Sequence, residues 1–179
     1  MSRLSTIELH KEDMKFCAGH FTVFSSTVRE NLHGHNYNVF GSFTTTIDDE
    51  GLSFDYRFYK AKIYDLCDEL DETVLLPGLC KYLTFSEVGD YYHVKFDQEV
   101  IIFLKRDVTI LPITNVTVEE LSQWFLNRLT SDTNELHANR LSRIQVKVYS
   151  RPGQSGSSTW EPEQAQLQHT TVKVVTENS

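Results

Sequence analysis

KFCAGHFTVFSSTVRENLHGHNYNVFGSFTTTI, residues 15–47, decides the fold. Two strand-like runs, 15–24 and 33–47, flank a polar stretch at 25–32 that can turn the chain. In the first run Phe16, Ala18, His20, Thr22 and Phe24 alternate onto one face; the second is rich in Val, Phe, Tyr and Thr. The pair predicts an antiparallel hairpin with a longish loop. Residues i and i+2 of a strand share a face, so His33 and His35 point together and Gly34 leaves the opposite face clear. His20 lies on the partner strand and can meet them. Three neutral imidazoles with an open fourth position are the usual catalytic zinc arrangement, in which the ion acts as a Lewis acid. An isolated His-x-His on a strand is more often not a metal site. The third histidine makes metal and packing roles evenly matched, and spacing goes no further.

Working outward, residues 48–51 (DDEG) signal a turn, and Asp55 is placed to cap a helix. Tyr59, Ile63, Leu66, Cys67 and Leu70 form one helical stripe. Residues 74–77 run extended, and 78–112 read as an inserted hairpin. Thr117, Val118, Glu119 and Glu120 form a capping box ahead of a second helix, whose buried stripe is Leu121, Trp124, Phe125 and Leu129. Ile144, Val146 and Val148 alternate with Gln145, Lys147 and Tyr149 in a half-buried strand, and 157–160 can close the sheet. The order predicts one α+β domain over 1–162, mostly antiparallel, with the insertion at about 78–112 and a polar tail at 163–179.

Composition bounds the function. The chain has 179 residues, 17 Lys and Arg against 25 Asp and Glu, and a net charge of −8. That acid excess, with Lys105-Arg106 as the longest basic run, argues against nucleic acid as a partner. No run approaches the ~18 apolar residues of a membrane span, and residues 1–10 do not read as a secretory signal. Three cysteines, Cys17, Cys67 and Cys80, with no CxxC pairing fit reduced thiols and a cytoplasmic location. Cys17 has the opposite strand parity to His20 and reads as a core thiol facing away from the metal.

The segment from Phe16 to His20, then Glu30, Asn31, Leu32 and the run HGHNYNV (33–39), resembles the 6-pyruvoyltetrahydropterin synthase family, which includes the 6-carboxytetrahydropterin synthases. The likeness continues through Phe54-Asp55, Leu70-Asp71, the 117–120 segment and 144–150, covering roughly residues 5 to 160. It implies the tunnelling fold (T-fold), an antiparallel ββ-αα-ββ unit. It also implies a zinc held by His20, His33 and His35, a small pterin-like substrate, and a homo-oligomer, a hexamer of two stacked trimers. The family's general base is usually a cysteine in the loop before HGH. Here residues 25–32 contain none, and Glu30 forms an E-x-x-H-G-H pattern similar to a folate-supplying subgroup. That subgroup cleaves the side chain of 7,8-dihydroneopterin triphosphate to 6-hydroxymethyl-7,8-dihydropterin.

Two departures stand out. The family's Leu-Asp-His relay is Leu70-Asp71-Glu72 here, which leaves Asp71 and Glu72 as relay candidates without an imidazole. The glutamate that usually grips the pterin's 2-amino and N3 edge is Ser150, which cannot accept two charge-assisted bonds; Glu161 is the first substitute to consider. Two functions are therefore expected in competition. One is a zinc-dependent lyase with Glu30 as acid–base group. The other is a zinc-binding T-fold protein that has lost pterin turnover and holds another heterocycle or a protein partner.

Overall fold

The computed structural model describes residues 3–162. Its organising element is the 15-residue strand β3 (His33–Ile47). One edge of β3 pairs antiparallel with β2 (Lys15–His20) through residues 33–38 and with β1 (Arg3–Leu9) through 41–47. The other edge takes β9 (Leu141–Arg151), which is followed by β10 (Gln154–Trp160). On the far side of β2, β4 (Thr73–Pro77) and then β8 (Val108–Leu111) add in parallel, giving a seven-stranded sheet. The expected antiparallel core is present, and these two parallel pairings extend it.

Helix α1 (Arg57–Leu70) and helix α2 (Val118–Leu129) bury their predicted stripes on one face of the sheet. Phe16, Tyr37, Val39, Phe43, Val146 and Val148 supply the sheet's side of that core. Phe16 stacks on Tyr37 with centroids 4.8 Å apart and reaches Phe125 of α2 at 6.0 Å. Thr117 caps α2, its side chain accepting the Glu120 N–H at 3.3 Å. The reciprocal half of the box is not made, because the Glu120 carboxylate accepts the Thr114 N–H instead. Asp55 sits one residue before the N-cap of α1, which is Tyr56 without a side-chain cap, and accepts the Arg57 N–H at 3.0 Å. A short helix α3 (Thr133–Ala138), capped by Asp132, leads into β9.

The segment expected as a hairpin is a three-stranded meander of β5 (Leu83–Val88), β6 (Tyr91–Phe96) and β7 (Glu99–Leu104). It forms its own sheet over a second apolar cluster containing Phe21, Val23, Leu76, Val94 and Phe96. The first hairpin run also ends early. β2 stops at His20, after which Phe21 and Val23 turn into the second cluster and Phe24 is exposed. Cys17 faces away from His20 but is exposed, so it is not a core thiol. The tail at 163–179 lies outside the described residues.

Gly156 fixes how closely β10 approaches α2. A Cβ there would lie 2.5 Å from the Val118 carbonyl carbon and 2.6 Å from the Glu119 nitrogen, and backbone cannot rotate aside. Gly156→Ala is expected to cost about 1–3 kcal/mol, the usual range for overpacking. A thermal melt should show a loss of roughly 2–12 °C; an unchanged midpoint would mean that β10 yields freely.

Candidate active site

The hairpin register sets the site. His20 ends β2 directly opposite His33, and His35 follows two residues later on the same face. The three ring centroids are 4.6, 5.3 and 4.9 Å apart, and one ligand atom from each imidazole lies within 4.8 Å of the others. The His20 Nδ1 is 3.0 Å from the Val116 carbonyl and the His33 Nδ1 2.9 Å from the Asn31 carbonyl. A carbonyl can only accept, so each Nδ1 carries the proton and each Nε2 lone pair stays free for a ligand. The His20 Nε2 is buried with no hydrogen-bond partner, an orphaned acceptor that a cation would satisfy. Burial, then the neighbouring His33 and His35, lower the His20 pKa to about 4. His35 is lowered as well, by burial first and then by His33 and Arg151. Both shifts favour the neutral ring that a metal needs. The residues present therefore fit a metal ion, and an all-imidazole donor set suits zinc.

Glu30 lines the same cavity of about 200 Å³. Its backbone N–H donates to the Thr22 carbonyl at 2.9 Å, and its Oε2 accepts the Thr22 N–H at 3.0 Å. Burial would raise its pKa, but the Thr22 hydrogen bonds and the charges of His33 and His20 outweigh it and hold the carboxyl below its ordinary value. At neutral pH the group is a carboxylate able to accept a proton.

Ser150 is buried at the cavity wall, on the same side of β9 as Val146 and Val148. Glu161 is not at the cavity. It lies just beyond β10 and pairs with Arg143 at 3.4 Å. Asp71 and Glu72 are also placed elsewhere within the chain. The Asp71 carboxylate accepts the Cys17 N–H at 2.6 Å, the Glu72 N–H donates to the Cys17 carbonyl, and both residues line a separate cavity of about 600 Å³. Both bonds are to the Cys17 backbone, three residues before His20 on β2, and neither Asp71 nor Glu72 lines the triad's cavity.

Three site residues escaped the sequence reading. Glu119 lines the cavity from the first turn of α2, where its capping-box position was the only local signal. Tyr37 continues the alternation of His33 and His35 and lies 5.6 Å from the His35 ring. Asn115 clamps the loop: its amide accepts the Val23 N–H at 3.1 Å and donates to the Val23 carbonyl at 2.8 Å. That contact spans 92 residues, so no local pattern announces it.

With this geometry established, similarity to known proteins becomes informative. Residues 8–159 match the model of the family described as 6-pyruvoyl tetrahydropterin synthase. A Methanocaldococcus jannaschii protein with the provisional name 6-carboxy-5,6,7,8-tetrahydropterin synthase is 25% identical over 142 residues, 79% of this chain and 86% of that protein. A Pyrococcus horikoshii protein of the same provisional name is 24% identical over 123 residues, 69% of this chain and 71% of that one. The crystal structure of 6-pyruvoyl tetrahydropterin synthase from Plasmodium vivax superposes with a TM-score of 0.84 at 28% identity, covering 89% of this chain and 99% of the other. Structures of the P. vivax protein also exist for variants in which a glutamate described as a catalytic residue is replaced by alanine or by cysteine.

Proposed function

Because the chain belongs to the 6-pyruvoyl tetrahydropterin synthase family, we propose that it is a zinc-dependent lyase acting on 7,8-dihydroneopterin triphosphate or a related pterin, with Glu30 as its acid–base group. The observation that carries this reading is the Glu30 carboxylate sharing one cavity with three histidines, each of which brings a ring nitrogen within 4.8 Å of the others. The glutamate described as catalytic in the P. vivax protein supports it. His20, His33 and His35 would hold the ion, which when bound supplies Lewis acidity toward side-chain oxygens. Glu30 takes the proton of the hydroxyl on the outer carbon. The bond between the two hydroxyl-bearing carbons then breaks, its electrons pass into the ring's conjugated imine, and an aldehyde leaves. Protonated Glu30 returns its proton to the remaining carbon, giving the hydroxymethyl product.

The chain's own residues account for less of the pterin grip. Ser150 offers no charge where the family usually places a carboxylate, and Glu161 is directed to Arg143. Asp71 and Glu72 remain candidate relay groups, now on a cavity of their own. A homo-oligomer, in the resemblance a hexamer of two stacked trimers, and a cytoplasmic location complete this reading. Among the described residues no helix is long and apolar enough to cross a membrane. The family match does not favour the alternative of a turnover-deficient binding module, to which Ser150 at the cavity wall is the feature that points.

The direct test is incubation of the zinc-loaded protein with 7,8-dihydroneopterin triphosphate and identification of the product. Formation of 6-hydroxymethyl-7,8-dihydropterin, lost on chelation, is the expected result, and no consumption would overturn the reading. Ser150→Glu probes the grip. A charge-assisted contact is worth roughly 1.5–3 kcal/mol, so the variant should bind a dihydropterin about ten- to a hundredfold more tightly. Equal or weaker binding in a fluorescence titration would place the ring's donor edge elsewhere.

A further inference from the structure

We propose that Arg29 is a positioning residue that ties the Glu30 loop to the inserted three-stranded sheet, so that the β6–β7 turn helps set the acid–base group. This rests on the reading of Glu30 given above. Arg29 is mostly covered, its side chain 16% exposed, and it touches four groups. Nη1 donates to the Glu30 carbonyl at 2.8 Å. Nε and Nη2 donate to one oxygen of Glu99, at 3.1 and 2.5 Å. The guanidinium also lies over the Phe21 ring at 5.3 Å and the Phe96 ring at 5.7 Å.

Phe96 ends β6 and Glu99 begins β7, so a single tight turn of the insertion supplies both a ring and a carboxylate. Asp97 within that turn has a φ of +48°, and Phe96 and Glu99 are directly paired across it, so their side chains share a face. The Glu30 loop has few other anchors. Phe24, Val28 and Leu32 are exposed, so apolar burial does not hold its outer side. Its inner bonds are the backbone pairs between Phe24, Ser25 and Val28, the Thr22–Glu30 exchange and the Asn115 clamp on Val23. The Arg29 contacts add hydrogen bonds from this loop to the insertion, beside the packing of Val23 in the cluster that holds Val94 and Phe96. A planar fork can bridge a carboxylate and a carbonyl while stacking on rings; a lysine ammonium cannot do all three.

The experiment compares wild type with Arg29→Gln, Arg29→Lys and Glu99→Gln, all zinc-loaded, by amide hydrogen exchange, metal analysis and steady-state kinetics on 7,8-dihydroneopterin triphosphate. Exchange at residues 22–32 should quicken by about tenfold or more in Arg29→Gln and less in Glu99→Gln, with β3 unchanged. Metal content should stay at the wild-type level. Loss of positioning should appear as a fall in kcat of about ten- to a hundredfold with KM within about threefold, and Arg29→Lys should not restore it. A lysine variant with wild-type kcat would overturn the proposal, as would unchanged exchange at 22–32 in both Arg29→Gln and Glu99→Gln. Glu99→Gln alters an exposed carboxylate, so it keeps the test alive if Arg29→Gln does not fold. If wild type consumes no substrate, the lyase reading fails while hydrogen exchange still decides the brace.

Discussion

Glu30→Gln is expected to lower kcat by about 10²- to 10⁴-fold, the usual share of a positioned acid–base group, while zinc content stays at the wild-type level. Glutamine keeps the length of the side chain and an oxygen that can accept the Thr22 N–H, so the loop geometry should survive. What it removes is the ability to take and return a proton. In the wild type the Thr22 bonds and nearby histidines hold the carboxyl below the ordinary value of 4.5, so its base form is present throughout the neutral range. The sign follows directly. The limb due to Glu30 in a pH profile of kcat/KM should lie on the acid side, below that value, with activity lost as pH falls. In Glu30→Gln that limb should vanish, and any remaining acid loss would report protonation of the metal site. Product quantitation and metal analysis on the same preparations separate the two effects. Retention of activity within tenfold would remove Glu30 as the proton carrier and make Glu119, the other carboxylate on the cavity wall, the next group to replace.

The parts of this molecule that were legible in advance are those written in local periodicity. The alternation around His33 and His35 placed both rings on one face, and the hairpin put His20 on the partner strand; the register that sets it opposite His33 arises because β2 ends at His20, short of the expected residue 24. The stripes of α1 and α2 follow from 3.6-residue spacing and are buried as expected. Strand parity likewise put Ser150 on the face of Val146 and Val148. The misses have a common cause. β1 carries a mostly polar, partly exposed sequence and is defined by its seven partners on β3 rather than by its own pattern. β4 and β8 join in parallel to neighbours far along the chain, which no turn signal announces. The fine structure of the Glu30 loop depends on Asn115 and Glu99, 92 and 70 residues away. Asp71 and Glu72 were grouped with the site through a sequence motif. Bonds to the Cys17 backbone place them, within the chain, on a second cavity, which no local pattern announces. Glu161 was considered only as a substitute for the missing anchoring carboxylate, and within the chain it pairs with Arg143.

His33→Ala should abolish stoichiometric zinc, taking the purified protein from about one ion per chain to nearly none, and turnover with it. His33 is the informative position among the three proposed ligands because it is exposed, whereas His20 is 5% exposed and packs against the Val116 backbone. Truncating His20 would mix metal loss with damage to the fold. Truncating an exposed side chain usually changes stability by no more than about 0.5 kcal/mol, so the metal-free forms of wild type and His33→Ala should melt nearly together. Added zinc should then divide them. Free zinc at a hundred times its Kd stabilises a one-site protein by about 2.7 kcal/mol, or roughly 5–11 °C for a chain of this size. His33→Ala should show little of that gain. The metal-free site is already prepared for the ion, since burial keeps the His20 ring neutral down to a pKa of about 4 and few protons compete for its Nε2 at pH 7. Equal zinc and equal thermal gain in both proteins would exclude His33 as a ligand. The convergence of the three imidazoles would then be a packing feature of the hairpin, and the proposed Lewis-acid chemistry would lose its basis.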